Sequence, residues 1–367
     1  MPTVPTYWDY LRLDSLLDLQ GGLEGDEDAL VPDELHFIIV HQTFELWFKL
    51  VIRSIRLARD ELGADQVAEA TVPHVAHHLR RASAILKLGV HQFEVMETLT
   101  PQDFLSFRDK LVPSSGFQSF QMRELEILLG LDESKRILYG KVDPLEHIKN
   151  LAEKSPGGAM AWGAIQQARE ETDLLTCLND WLYRTPIQGS SPGDAGDDEA
   201  VADFVDEYLD AASASLDVNL ARLVETMGVG RTEEVEQRFQ SIRDASRGFM
   251  NADDVVDEYK KKARRVRAAV LFIESYRRLP LLAWPRLLLD VVVELEEQML
   301  LWRHRHVRMV ERVIGRRVGT GGSSGVDYLD KTVQYRIYRD LWSIRTVLLP
   351  ADKLPPLKNP AFYGFAE

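Results

Sequence analysis

Cysteine is almost missing from this chain. Cys177 is the single example in 367 residues, so an intrachain disulfide and a cysteine-based metal site are both excluded. No run of 18 uncharged apolar residues occurs, which leaves no membrane span to expect. The first residues, MPTVPTYWDYLRLD, lack the basic-then-apolar order of a secretory signal. Basic residues are in deficit: 44 Lys and Arg against 58 Asp and Glu give a net charge of −14. That balance argues against a general affinity for nucleic acid or anionic membrane. HExxH, CxxC and a persuasively spaced two-histidine-one-carboxylate set are absent too. So are strand-like alternation and internal repeats. The expected setting is reducing and cytoplasmic.

What remains is helical periodicity and a large apolar fraction, 45%, enough for a substantial core. The pattern predicts helices over 9–20, 33–62, 73–98, from Pro101 onward, 120–129 and 161–183. Pro101 suits a first helical turn and Gly130 a helix end. The segment 113–119 reads as loop and 131–160 as less regular. Residues 188–200, QGSSPGDAGDDEA, read as a flexible linker or exposed loop. From 201 to 277 the chain is charge-rich and helical, as in a solvated hairpin. The fold class is therefore all-α, a helical bundle spanning 1–367 as one domain. Residues 1–20 form an N-terminal arm and 188–280 a charged helical insertion.

The most informative stretch is 302–325, WRHRHVRMVERVIGRRVGTGGSSG. Val292, Leu295, Met299, Trp302, His306, Val310 and Val313 recur in steps of three and four, so His306 lies on the apolar stripe. His304 points to another face, among arginines. On periodicity alone His306 is either a ligand or a core histidine hydrogen-bonded to a neighbour, and the second is the commoner fate. The same two readings hold for His41, on the stripe Phe37, His41, Phe44, Phe48. His74, His77 and His78 sit in polar surroundings and are expected at the surface. Arg108, near Phe104, is either paired with Asp109 or another carboxylate, or a bidentate clamp for a substrate carboxylate. In GTGGSSG the glycines permit close backbone approach to a ligand, and Thr320, Ser323 and Ser324 add hydrogen-bonding groups. Tyr7 and Tyr10 either anchor a helix start or reach a neighbouring subunit.

Taken together, FIIxHQxxELWFK (37–49), FR-x-x-L with SGFQS (107–119), WR-x-x-H (302–306) and GTGGSSG (319–325) resemble the tryptophan 2,3-dioxygenase family. The resemblance covers both ends of the chain and weakens from about 131 to 285. It implies an all-α homotetramer that binds haem b, active as Fe2+, and oxidises L-tryptophan with O2 to N-formylkynurenine. By position, His306 resembles the proximal iron ligand, with Trp302 and Gly321 beside the cofactor. His41 resembles the distal histidine that accepts the indole N–H, and Phe37 packs on the indole. Arg108 resembles the carboxylate clamp, with Phe104 beside it, and Thr320 the partner of the substrate's ammonium and carboxylate. Tyr7 and Tyr10 match tyrosines that an adjoining subunit contributes by arm exchange. Trp8 and Phe44 depart from the family pattern, where a small or polar residue and a tyrosine, respectively, are frequent. Two other readings follow: a haem monooxygenase forming a 2-oxindole from a substituted tryptophan, and a non-enzymatic haem or tryptophan sensor.

Overall fold

The computed structural model describes residues 4–112, 114–138, 143–227, 232–320 and 325–364. Among them lie fifteen α-helices: α1 Tyr7–Leu11, α2 Leu13–Leu16, α3 Pro32–Leu62, α4 Val72–Met96, α5 Pro101–Phe107, α6 Phe120–Leu129, α7 Pro144–Ala152, α8 Pro156–Glu170, α9 Leu174–Arg184, α10 Asp197–Met227, α11 Thr232–Met250, α12 Asp257–Ser275, α13 Ala283–Ile314, α14 Val326–Thr332 and α15 Arg339–Ser343. Among the described residues there is no strand beyond an isolated Ile187–Ser190 bridge. The all-α expectation holds.

Local chemistry sets the boundaries. The hydroxyl of Thr100 caps α5 by accepting from the Asp103 amide, and Pro101 occupies the first turn. Ser119 caps α6, which ends at Gly130 with φ 101°. That left-handed backbone favours glycine, so the sequence reading of this stop was physically grounded. The expected helix over 161–183 is two helices instead, α8 and α9. Asp173 starts the second by accepting from the Thr176 amide, so a capping residue interrupts one apolar pattern. The expected helix over 9–20 is likewise two short ones, separated by Arg12 at φ 54°.

Contacts divide the chain into two compact units. One comprises residues 1–56, 80–172 and 295–336; the other comprises 57–79, 173–294 and 337–367. In the second unit the buried rings of Phe204, Tyr208, Phe272, Tyr276 and Tyr363 form the centre. The polar segment 188–200 is exposed at 193–196 and held at its ends. Ser190 Oγ donates to Asp197 at 2.8 Å, and Arg265 reaches the same carboxylate at 2.6 Å. The charge-rich stretch is also not uniformly solvated. Residues Arg265–Glu274 of α12 are all buried, because Arg265 and Arg267 spend their charge on Asp197, Asp254 and Asp340.

In the first unit, the N-terminal part of α3, the C-terminal parts of α4 and α13, and α5, α6 and α14 supply the residues of interest. Among the described residues, only α3 is long and apolar enough to cross a bilayer. Of its apolar window 28% is buried, with Val51, Ile52 and Ile55 on the helix inside the protein and Ile39, Leu46 and Leu50 exposed. The deepest polar feature is Glu126 on α6, with 0% exposure. It accepts from Arg123 at 2.8 Å, Arg136 at 2.5 Å and Arg303 at 2.6 Å. Burial alone works against its charge, but the three guanidiniums together outweigh burial and hold the carboxyl down to about 2, from an ordinary 4.5. A depressed carboxylate stabilises the fold above its unfolded pKa and loses that contribution as pH falls through the folded one. Stability should therefore drop between about pH 4.5 and 2. Glu126→Ala should cost roughly 3–5 kcal/mol at pH 7, because it strands three buried cations, and should flatten that acid dependence. Urea denaturation followed by helix ellipticity at pH 7 and at pH 3.5 measures both; equal pH 7 midpoints would show the cluster to be dispensable.

Candidate active site

One cavity in the first unit gathers most of the residues singled out from sequence. Phe37, His41, Phe104, Arg108, Trp302, His306 and Thr320 all line it. The space it surrounds, open solvent at the mouth included, is about 1430 Å³. Gly321, Ser323 and Ser324 lie outside the described residues. Tyr7 and Tyr10 do not line the cavity of their own chain; they are 68% and 81% exposed.

The wall is aromatic. Phe44 and Phe48 of α3, Phe93 of α4 and Trp302 of α13 pack with ring centroids 4.9–5.9 Å apart. Helix α4 comes close here: a Cβ on Gly89 would stand 3.2 Å from Trp302 Cδ1 and 3.4 Å from Phe44, so the indole would have to give by a few tenths of an ångström. His306 sits one turn beyond Trp302, its ring 5.0 Å from the indole and nearly parallel to Phe93 at 5.7 Å.

The two histidines differ in how their nitrogens are used. Burial, followed by repulsion from His41, Arg303 and Arg123, pushes His306 down to about 3, so it is a neutral imidazole. Its remaining exposure is to the cavity, which it lines. Among the described residues nothing hydrogen-bonds to it. A core histidine ordinarily has such a partner, so the ligand and core readings of His306 differ at this nitrogen. Burial also lowers the pKa of His41, against a hydrogen bond to the Phe37 carbonyl. That carbonyl lies 2.8 Å from Nδ1. A carbonyl only accepts, so Nδ1 carries the proton, and Nε2 of the neutral ring keeps its lone pair. Phe37 packs on the His41 ring at 4.0 Å.

At the mouth, Arg108 pairs with no carboxylate among the described residues; the Asp109 alternative does not occur. Its Nη2 donates to the Val318 carbonyl at 2.5 Å, and its Nε is buried without a partner. Thr320 donates to the Ser114 carbonyl at 2.5 Å. These two bonds tie Arg108 to Val318 and Thr320 to Ser114. Of the outlying histidines, His74 and His77 are exposed and His78 is partly buried. His304 is exposed, as its helical phase predicts, but its neighbour Arg303 is not solvated; it turns inward to Glu126. Sequence reasoning missed Arg303 and Arg123 as cavity residues. The signal was faint: Arg303 follows Trp302 on the buried side of α13.

The model of the family described as tryptophan 2,3-dioxygenase matches residues 3–348. The chain belongs to the tryptophan 2,3-dioxygenase family. It is 45% identical to "Tryptophan 2,3-dioxygenase 2" of Ralstonia nicotianae, over 99% of this chain and 98% of that one. It is 42% identical to "Tryptophan 2,3-dioxygenase" of Sorangium cellulosum, over 98% and 87% of the two chains. It is 35% identical to the protein of that name from Alteromonas mediterranea, over 96% and 94%. Membership in this dioxygenase family extends through 131–285, where the quoted motifs thin out.

The cavity also bears on a cofactor. No cluster of three or more His, Cys, Asp or Glu side chains able to hold an ion occurs among the described residues. An ion held by side chains alone would need such a set; an iron porphyrin needs one axial imidazole from the protein. A neutral, unpartnered His306 in an aromatic wall fits that demand. Trp302 Nε1, a donor only, is buried on the same wall with no acceptor.

Proposed function

We propose that this chain is a haem-dependent tryptophan 2,3-dioxygenase, which cleaves the indole C2–C3 bond of L-tryptophan with O2 to give N-formylkynurenine. The observation that carries the reading is a neutral imidazole without a hydrogen-bond partner, His306, sharing one aromatic cavity with a second imidazole of defined tautomer, His41. Haem b would be held through His306, beside Trp302, and would supply O2 activation at ferrous iron. Gly321 belongs to the same reading as a cofactor neighbour.

The protein's own share is orientation and exclusion of water. Phe37 and Phe104 give the indole an apolar bed, their rings 5.8 Å apart. His41 Nε2 accepts the indole N–H, which fixes the ring about one axis. Arg108 holds the carboxylate at the mouth. Its buried Nε is a donor in waiting, and Nη2 is freed when the carboxylate displaces the Val318 carbonyl. Thr320 turns its hydroxyl to the ammonium and carboxylate end. A site pairing both ends of a zwitterion discriminates strongly against analogues that lack either group.

Arm exchange within a homotetramer completes the reading. Tyr7, Trp8 and Tyr10 are 63–81% exposed on a helix held by a Thr6–Asp9 capping box. Ordered aromatics left in water are a contact surface. Removing residues 1–12 should lower the oligomer mass in analytical ultracentrifugation while haem uptake stays; an unchanged tetramer with full turnover would sink the arm's role. Cytoplasmic residence is part of the same proposal.

Aerobic turnover of L-tryptophan by the reduced, haem-loaded protein, with mass analysis of the product, tests the reaction. Cleavage adds two oxygen atoms. A product with one added oxygen, or none formed at all, would overturn it.

A further inference from the structure

The buried cluster on α6 does not balance its charge. Arg123, Arg136 and Arg303 meet a single carboxylate, Glu126, which leaves a surplus of two positive charges. Among the described residues no other acidic group pairs with these three. Arg123 Nε and Arg136 Nε and Nη2 are buried without acceptors, and Arg303 lies over the Tyr335 ring at 4.9 Å. All three side chains are at least nine-tenths buried, so mobile counterions do not screen them. Glu124, the other buried carboxylate on α6, is taken by Arg56 at 2.8 Å.

This surplus adjoins the candidate cofactor. Arg123 and Arg303 line the same cavity as His306. Arg303 is three residues before His306 on α13, hence a neighbour on the helix surface. Resting on the haem reading above, we propose that Arg303 and Arg123 are positioning residues of an electrostatic kind, whose fixed charge favours the ferrous over the ferric state of an iron held by His306.

The equilibrium concerned is Fe3+ + e− → Fe2+, with the electron drawn from a one-electron donor. The iron loses one positive charge; no bond to the protein forms or breaks. A nearby buried cation repels the ferric form more than the ferrous one, so the midpoint potential rises. Glu126 has a double part: it anchors the guanidiniums and subtracts one unit from their field. Since O2 is activated at ferrous iron, the cluster would keep the enzyme in its working state.

Spectroelectrochemical titration of the haem-loaded, full-length protein decides the matter. Arg303→Gln and Arg123→Gln should each shift the midpoint potential downward. Glu126→Gln should shift it upward, because the compensating negative charge is gone. A cluster that merely held the fold would, once loosened, admit water and move all three variants the same way. Should Glu126→Gln fail to fold, the two arginine variants still decide: both must shift down. Midpoints equal to wild type, or one common direction in all three variants, would overturn the proposal. Wild-type protein that takes up no haem would sink the cofactor reading and this inference with it. Normal uptake with unmoved potentials would sink the inference alone.

Discussion

His306→Ala is expected to yield a folded protein that no longer retains stoichiometric haem. Alanine is the best helix former, so α13 keeps its backbone. Phe93 and Trp302, the rings against His306, remain in place to hold the wall. What disappears is an imidazole on the cavity wall to which nothing hydrogen-bonds among the described residues. On the proposed reading, a porphyrin would lose the side chain that holds it. Affinity should fall at least roughly tenfold, or about 1.4 kcal/mol. The Soret absorbance per mole of protein measures this, alongside far-ultraviolet ellipticity to confirm the fold. Added imidazole should restore part of the absorbance by filling the space left behind. Full haem occupancy without imidazole would refute the assignment.

Arg108→Ala is expected to act on substrate binding rather than on the cofactor. Its guanidinium is at the cavity mouth, joined to a neutral carbonyl by Nη2 and to nothing by Nε. Exchanging a carbonyl partner for a carboxylate is a gain in charge-assisted bonding. Loss of a bidentate pair in a largely desolvated site costs on the order of 2–4 kcal/mol. KM for L-tryptophan should therefore rise by roughly 30- to 1000-fold, with the Soret band unchanged. The α-amine analogue lacking a carboxylate should lose little in the variant, because the missing pair was never formed. Wild-type KM and turnover in Arg108→Ala would place the clamp elsewhere.

These expectations began as sequence positions. His41 and His306 were legible because their neighbours recur at three and four residues, and a helix turns such spacing into a face. Two readings stayed open for each, since a face does not say whether a buried nitrogen has a partner. The three-dimensional structure adds that, among the described residues, nothing hydrogen-bonds to His306, whereas His41 has the Phe37 carbonyl. Arg108 shows the same division. Asp109 is its nearest acidic neighbour in sequence, yet a helical turn sends the two side chains apart, and Val318 takes the guanidinium instead. The polar run at 188–200 is exposed at 193–196, as its composition suggests, but not throughout. Its serines and aspartates satisfy one another and Arg265, and composition cannot distinguish a solvated polar group from a paired one.

The sequence by itself determined the helical class, the family motifs and the faces of α3 and α13, because helical periodicity is local and needs no partner. Tertiary structure alone decided which charges are buried together. Arg303 is separated from Glu126 by 177 positions in the chain, and nothing local marks it off from Arg305 or Arg308. The exposed faces of α13 carry arginines of the same kind. Only the packing of α6 against the neighbouring turn of α13 converts one of them into a desolvated cation beside the cavity, where its field is no longer screened by water.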